Sequence, residues 1–245
     1  MSVFASLVEQ LADLLQPLFG LSAAAAAIVL FTAFVRLLVH PLSRAAARGQ
    51  RARAELQPRI AELRRKHGRN PEKLQKAVRD LHARERVSPL SGCLPSLLQV
   101  PAFFLLYHLF SSDTVGGRPN GLLGHELFTA PLGGRWADAL GDGGPWGGPG
   151  LVYAGLFGVV AVVALFGYRL TKRSMAANAA LSGGFGASGT GGAVEQLPGM
   201  GAVTRVMPFM SFFTLVTVAV VPLAAALYIA TSTAWGVVER AVLYR

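Results

Sequence analysis

Residues 36–86 read RLLVHPLSRAAARGQRARAELQPRIAELRRKHGRNPEKLQKAVRDLHARER. This block holds 15 of the chain's 23 Lys and Arg residues against 5 of its 13 Asp and Glu, a net of +10. The whole 245-residue chain also sums to +10, so everything outside the block is neutral. It is apolar as well: hydrophobic residues make up 52% of the chain, charged residues only 15%, and the mean hydropathy is +0.45. A typical soluble domain carries about 25% charged residues. A net charge of +10 suggests a nucleic-acid binder until the charges are located; gathered into one block in an oily chain, they mark a multi-span membrane protein with a large cytoplasmic loop. Disorder is excluded, because so much apolar surface would be left in water. The single cysteine, Cys93, excludes an internal disulfide framework and a cysteine zinc cluster.

A spanning helix needs about 20 apolar residues to cross a hydrocarbon core of about 30 Å. Leu21 to His40 qualifies with one charge, Arg36, and is expected to end at Pro41. Leu90 to Ser111 has no charge but is interrupted by Pro95 and Pro101; Leu151 to Tyr168 is uncharged and is expected to stop at Arg169. The stretch Val206 to Val238 is too long for one helix and contains Pro222, which predicts a hairpin of two short helices. That makes five spans. The basic block follows the first span, and Arg169, Lys172, Arg173 and Arg205 flank the loop after the third. The loop Ser112 to Gly150 has Arg118 and Arg135 against Asp113, Glu126, Asp138 and Asp142. The positive-inside rule then puts the N-terminus outside and the C-terminus in the cytoplasm.

The first twenty residues lack the basic n-region of a secretory signal. Val3, Phe4, Leu7, Val8, Leu11, Leu14, Leu15 and Leu18 instead recur at helical spacing opposite Ser2, Ser6, Glu9, Gln10, Asp13 and Gln16, which predicts an amphipathic helix in the outer interface. Inside the basic block, Leu56, Ile60 and Leu63 form one stripe and Leu74, Val78 and Leu81 another. Between them His67-Gly68-Arg69-Asn70-Pro71 supplies a Gly stop, an Asn N-cap and a Pro at the first helical position. A mobile two-helix hairpin is expected, with a solvated loop as the alternative.

The fold class is therefore an all-α polytopic membrane protein. Its expected segments are an external interfacial helix (1–20), a first span (21–41), a basic cytoplasmic helical hairpin (42–88), a second span (89–111) and an external loop (112–150). A third span (151–168), a Gly-rich cytoplasmic loop (169–205) and a closing hairpin of fourth and fifth spans (206–240) follow.

Gly184-Phe-Gly186-Ala-Ser-Gly189 matches a dinucleotide fingerprint, but no strand precedes it and no helix follows, so it reads as linker. The five histidines never pair at metal-ligand spacing, and no metal or cofactor is expected. His108 with Ser96, Ser211 or Ser232 would be needed for an intramembrane serine protease, yet no local signature marks a nucleophile and no enzyme is expected. Arg36 is more informative. A charge inside a span costs about 2.5–3.5 kcal/mol on insertion scales and is usually functional. It also lies about one turn from the helix end, where a snorkelling side chain would sit, and position alone does not separate the two. Gln99, Thr231, Ser232 and Thr233 are the other polar groups in the spans, able either to bond between helices or to line a wet cavity.

Around these residues the chain resembles a known family. Phe34-Val-Arg36-Leu-Leu-Val-His-Pro41-Leu, Asn70-Pro-Glu-Lys-Leu74 and Ser88-Pro-Leu-Ser-Gly92-Cys93-Leu-Pro95-Ser-Leu-Leu-Gln99-Val-Pro101 are similar to segments of the YidC/Oxa/Alb membrane protein insertases. Met207-Pro208-Phe209 and Pro222-Leu-Ala-Ala-Ala-Leu-Tyr228 look like that family's closing hairpin. The resemblance implies five transmembrane helices around a hydrophilic groove, open to cytoplasm and lipid, with Arg36 and Gln99 at its groove positions. Thr231, Ser232 and Thr233 complete the candidate client groove, Ser232-Thr233 standing where many members have Asn. The hairpin corresponds to Arg44–Arg86, and Arg53, Arg59, Arg64, Arg65, Lys66, Lys73 and Lys76 are its candidate cytoplasmic contacts. The implied activity is insertion and chaperoning of membrane proteins in a bacterial cell membrane, without nucleotide hydrolysis. Newly made membrane proteins are the implied partners, with the ribosome, the Sec translocon and anionic lipids as further candidates and a monomer as the working form. Only five residues follow Arg240, so no ribosome-binding basic tail is expected. The alternative class is a small transporter or anion channel using Arg36.

Overall fold

The computed structural model describes residues 2–67, 70–85, 104, 107–112, 114–115, 117–141, 143–181 and 209–243. Helix α1 (Ser2–Phe19) is followed by a short 3-10 turn at Gly20–Ser22, where Gly20 adopts a left-handed φ of 54°. A residue with a Cβ is strained there, which is why glycine marks the break. Beyond it runs α2 (Ala23–His67, 45 residues), against which α1 packs. Val8 and Ala12 of α1 are buried one turn apart; Val8 belongs to the stripe anticipated from spacing and Ala12 does not, while Leu7, Leu14 and Leu18 of that stripe are exposed.

Helix α2 does not end at Pro41. It continues through both Pro41 and Pro58. Each proline removes one helical hydrogen bond and crowds the carbonyl four residues earlier, a local cost of about 3 kcal/mol. The flanking Ala, Arg, Leu, Glu and Gln are strong helix formers, and neither proline carries a glycine beside it to stop propagation. Helix α3 (Pro71–Arg84) then turns back against α2. Its start follows the expected chemistry: Asn70 Oδ1 accepts the Lys73 N–H at 3.0 Å and Pro71 occupies the first turn.

The segment 112–150, expected as a loop, contains small elements: β1 (Thr114–Val115) paired antiparallel with β2 (Arg118–Pro119), β3 (Glu126–Leu127) with β4 (Ala130–Pro131), and a short helix α4 (Trp136–Gly141). Helix α5 (Gly148–Leu181) passes Arg169 without stopping and runs three further turns, because Thr171 to Leu181 holds no Gly or Pro. Finally α6 (Met210–Val220) and α7 (Leu223–Leu243) are separated at Val221–Pro222.

The core lies at one end of the helices. Ile28 of α2, Leu109 and Phe110, Leu122 and Leu132, Tyr153 of α5, Val218 of α6 and Leu223–Ala226 of α7 are buried in one cluster. Segment 112–150 ties these pieces together. Phe128 N–H donates to Ser22 Oγ (3.3 Å), the Tyr153 hydroxyl to Gly134 O (2.6 Å), and buried Asn120 Nδ2 to Leu109 O (2.7 Å). Leu223 and Ala224 N–H donate to Gly134 O and Leu132 O, both at 2.9 Å. Those are first-turn donors of α7 with no partner inside the helix, so the segment caps it with backbone carbonyls.

Away from that end, large apolar side chains face outward in stripes: Leu30, Phe34 and Leu38 on α2, Val159, Val162 and Phe166 on α5, Phe213, Val216 and Val220 on α6. The stretch Ser6–His67, in which α1 and α2 are joined end to end, and Gly148–Ala176 are long and apolar enough to cross a membrane; α6 is a shorter apolar helix. The 21 residues of α7 hold Thr231–Thr233 and Glu239–Arg240, which lower its apolarity. The expected second span lies mostly outside the described residues.

Candidate functional site

Helices α2 and α7 run side by side in the same direction, and their facing polar residues meet in order. Arg36 donates from Nε to Ser232 Oγ at 3.0 Å and also from Nη2 to the same oxygen. One turn further along α2, His40 Nδ1 is 2.7 Å from Glu239 Oε1. Near the end of α7, Arg51 Nη2 donates to the Leu243 carbonyl at 2.5 Å. Arg36 and His40 share a face because four residues make about one helical turn, and Ser232 and Glu239 share one because seven make about two.

Ser232 is buried, with Thr231 and Thr233 half-buried beside it. Tyr228, one turn before Ser232, is buried and in electrostatic reach of Arg36, as are Glu239 and Arg240. The Tyr228 ring also stacks at 6.0 Å, tilted by 46°, on Phe110, linking this seam to the core. A cation on a serine hydroxyl, with apolar stripes on either side, can bind an anionic group where water is scarce and its attraction correspondingly strong.

Of the candidate groove residues, Arg36 and Ser232 are thus brought into contact, with Thr231 and Thr233 adjoining; Gln99 lies outside the described residues. Sequence reading missed His40, Glu239 and Tyr228. The available signal was spacing: His40 stands four residues after Arg36, and Tyr228 and Glu239 lie four before and seven after Ser232. On the hairpin, Arg65, Lys66, Lys73 and Lys76 are exposed, while Arg59 pairs with Glu85 across α2 and α3. The Arg53 and Arg64 side chains lie outside the described residues. Among the described residues no group of three or more His, Cys, Asp or Glu gathers as for a metal ion.

The family model described as "60Kd inner membrane protein" matches residues 14–245. The chain belongs to this family. Its curated relatives are named membrane protein insertase YidC. One from Clostridium perfringens is 44% identical over 87 residues, covering 36% of this chain and 37% of that protein. Another, from Magnetococcus marinus, is 43% identical over 81 residues, 33% of this chain and 15% of that one. A third, from Anaeromyxobacter, is 42% identical over 101 residues, 41% and 18% of the two chains. The matched segments thus cover well under two thirds of these relatives' own lengths.

Proposed function

We propose that this chain is a membrane protein insertase and chaperone, moving client transmembrane segments into the bilayer through a polar groove without nucleotide hydrolysis. The observation that carries the reading is the Arg36–Ser232 contact between α2 and α7, a cation within an apolar helix whose side-chain hydrogen bonds, among the described residues, go to a neutral hydroxyl. Carrying a polar client tail through hydrocarbon is the costly step of insertion, since each unsatisfied polar group costs several kcal/mol there. A groove lined by Arg36, Thr231, Ser232, Thr233 and Gln99 shortens that path and offers a charge to acidic groups in the tail. The outward apolar stripes let the client's own helix leave into lipid.

The proposed topology has five spans in a bacterial cell membrane, N-terminus outside and C-terminus in the cytoplasm. Supporting it, segment 112–150 contacts the start of α2, the end of 107–111, the start of α5 and the α6–α7 turn, four helix ends that an alternating path puts on one side. The exposed basic residues of α2 and α3 suit anionic headgroups or ribosomal RNA on the other side. Newly made membrane proteins are the proposed partners, with or without the Sec translocon.

The test is insertion of a purified single-span client with an acidic external tail into liposomes containing only this protein. Arg36→Ala should lower insertion at least about tenfold, the loss of about 1.4 kcal/mol of capture, and Arg36→Lys should retain part of it. Normal insertion by well-expressed Arg36→Ala protein overturns the groove role, and anion flux without insertion points to a channel.

A further inference from the structure

The seam between α2 and α7 contains a carboxylate that Arg36 does not use. Glu239 lies in electrostatic reach of Arg36, yet its Oε1 is 2.7 Å from His40 Nδ1. Both described donors of Arg36 go instead to the neutral Ser232 hydroxyl. Among the described residues Arg36 takes part in no salt bridge. The other described groups near it supply no negative charge at neutral pH: the Tyr228 phenol, and Arg240, whose Nε donates to the Gly236 carbonyl at 3.1 Å.

The spacing explains how the two contacts are kept apart. At 1.5 Å per residue, Arg36 and His40 are separated by about 6 Å along α2, whereas Ser232 and Glu239 are about 10.5 Å apart along α7. The side chains of α2 therefore fan out, Arg36 toward one end of the seam and His40 toward the other. A guanidinium–carboxylate pair is stronger than a guanidinium–hydroxyl bond, more so away from water. Without a partner of its own, the Glu239 carboxylate would turn to Arg36.

We infer that His40 is a positioning residue that holds the Glu239 carboxylate off Arg36 and so keeps the guanidinium open to a carboxylate of the client. The serine hydroxyl then serves as a weak holder that an incoming anion displaces. Glu239 stands in the seam as an internal competitor whose engagement with His40 decides how much Arg36 is available. This inference rests on the insertase reading above.

The experiment is the liposome assay with two matched clients, one with an acidic tail and one with a neutral tail, run beside Arg36→Ala. If Glu239 occupies Arg36 in about four of five molecules once freed, His40→Ala should lower insertion of the acidic client about fivefold. Insertion of the neutral client should not change. His40→Gln, which keeps a side-chain donor, should stay near wild type, and the double variant His40→Ala/Glu239→Gln should restore acidic-client insertion. A packing defect would depress both clients and would not be rescued by a second substitution. Wild-type insertion by His40→Ala, equal loss for both clients, or a double variant as weak as the single would overturn the inference. Insertion that ignores Arg36 altogether would instead remove the insertase groove itself.

Discussion

The two ends of the helical assembly are held together in different ways. At one, segment 112–150 brings four helix ends into a buried cluster that includes Leu122, Leu132, Tyr153 and Leu223, and its backbone carbonyls cap α7. At the other, α2 and α3 form a hairpin in which α3 buries no residue, and the pairing rests on Leu56, Ile60 and the Arg59–Glu85 ion pair. The first end depends on burial and on backbone hydrogen bonds between its pieces, so opening it disturbs everything it joins. The second depends on a thin apolar seam and surface charges, and local opening there costs little. Such a bundle is expected to be closed and stiff at one end, open and adaptable at the other.

Removing core volume at the closed end is the hardest blow to this contrast. Leu122→Ala, at a fully buried position, should cost about 3 kcal/mol, read as a lower thermal midpoint of the whole protein in detergent. Asn120→Ala should cost about 2 kcal/mol, because it removes the donor to Leu109 O and Ser112 O and the acceptor of the Leu122 N–H. At the open end, Asn70→Ala should cost about 1 kcal/mol through the lost N-cap. That loss should appear as faster amide exchange in α3 alone, with the thermal midpoint unchanged. A shift of the global midpoint by Asn70→Ala would mean that the hairpin is coupled to the core and that the contrast is wrong.

What could be read from sequence was local chemistry. Asn70-Pro71 names its own helix start, and Pro222 marks the break between α6 and α7, because in each case the deciding groups are a few residues apart. Pro41 and Arg169 misled as helix ends for the same reason. A proline or a first charge is a local penalty, and whether the helix continues depends on the many residues that follow. The 112–150 segment is rich in Gly and Pro and reads as an external loop. Its structure comes from Leu122, Ala130, Leu132 and Trp136, scattered residues whose burial depends on helices elsewhere in the chain. Arg36 and Ser232 were each visible as polar groups in apolar stretches. That His40 takes the nearby carboxylate was not, since His40 and Glu239 are 199 residues apart and only the packing of α2 on α7 brings them together.

The continuity of α2 has a mechanical side. A 45-residue helix is about 67 Å long, more than twice the thickness of a hydrocarbon core, so its basic half extends as an arm from the half that carries Arg36. A force applied near His67 is not absorbed at a loop, because there is none before Gly20. It travels along the rod as a bending moment. Pro58 and Pro41 each lack a backbone hydrogen bond, and the moment is larger at Pro41, the farther of the two from His67, five residues from Arg36. A partner that grips the hairpin therefore has leverage on the Arg36 contact without ever approaching it.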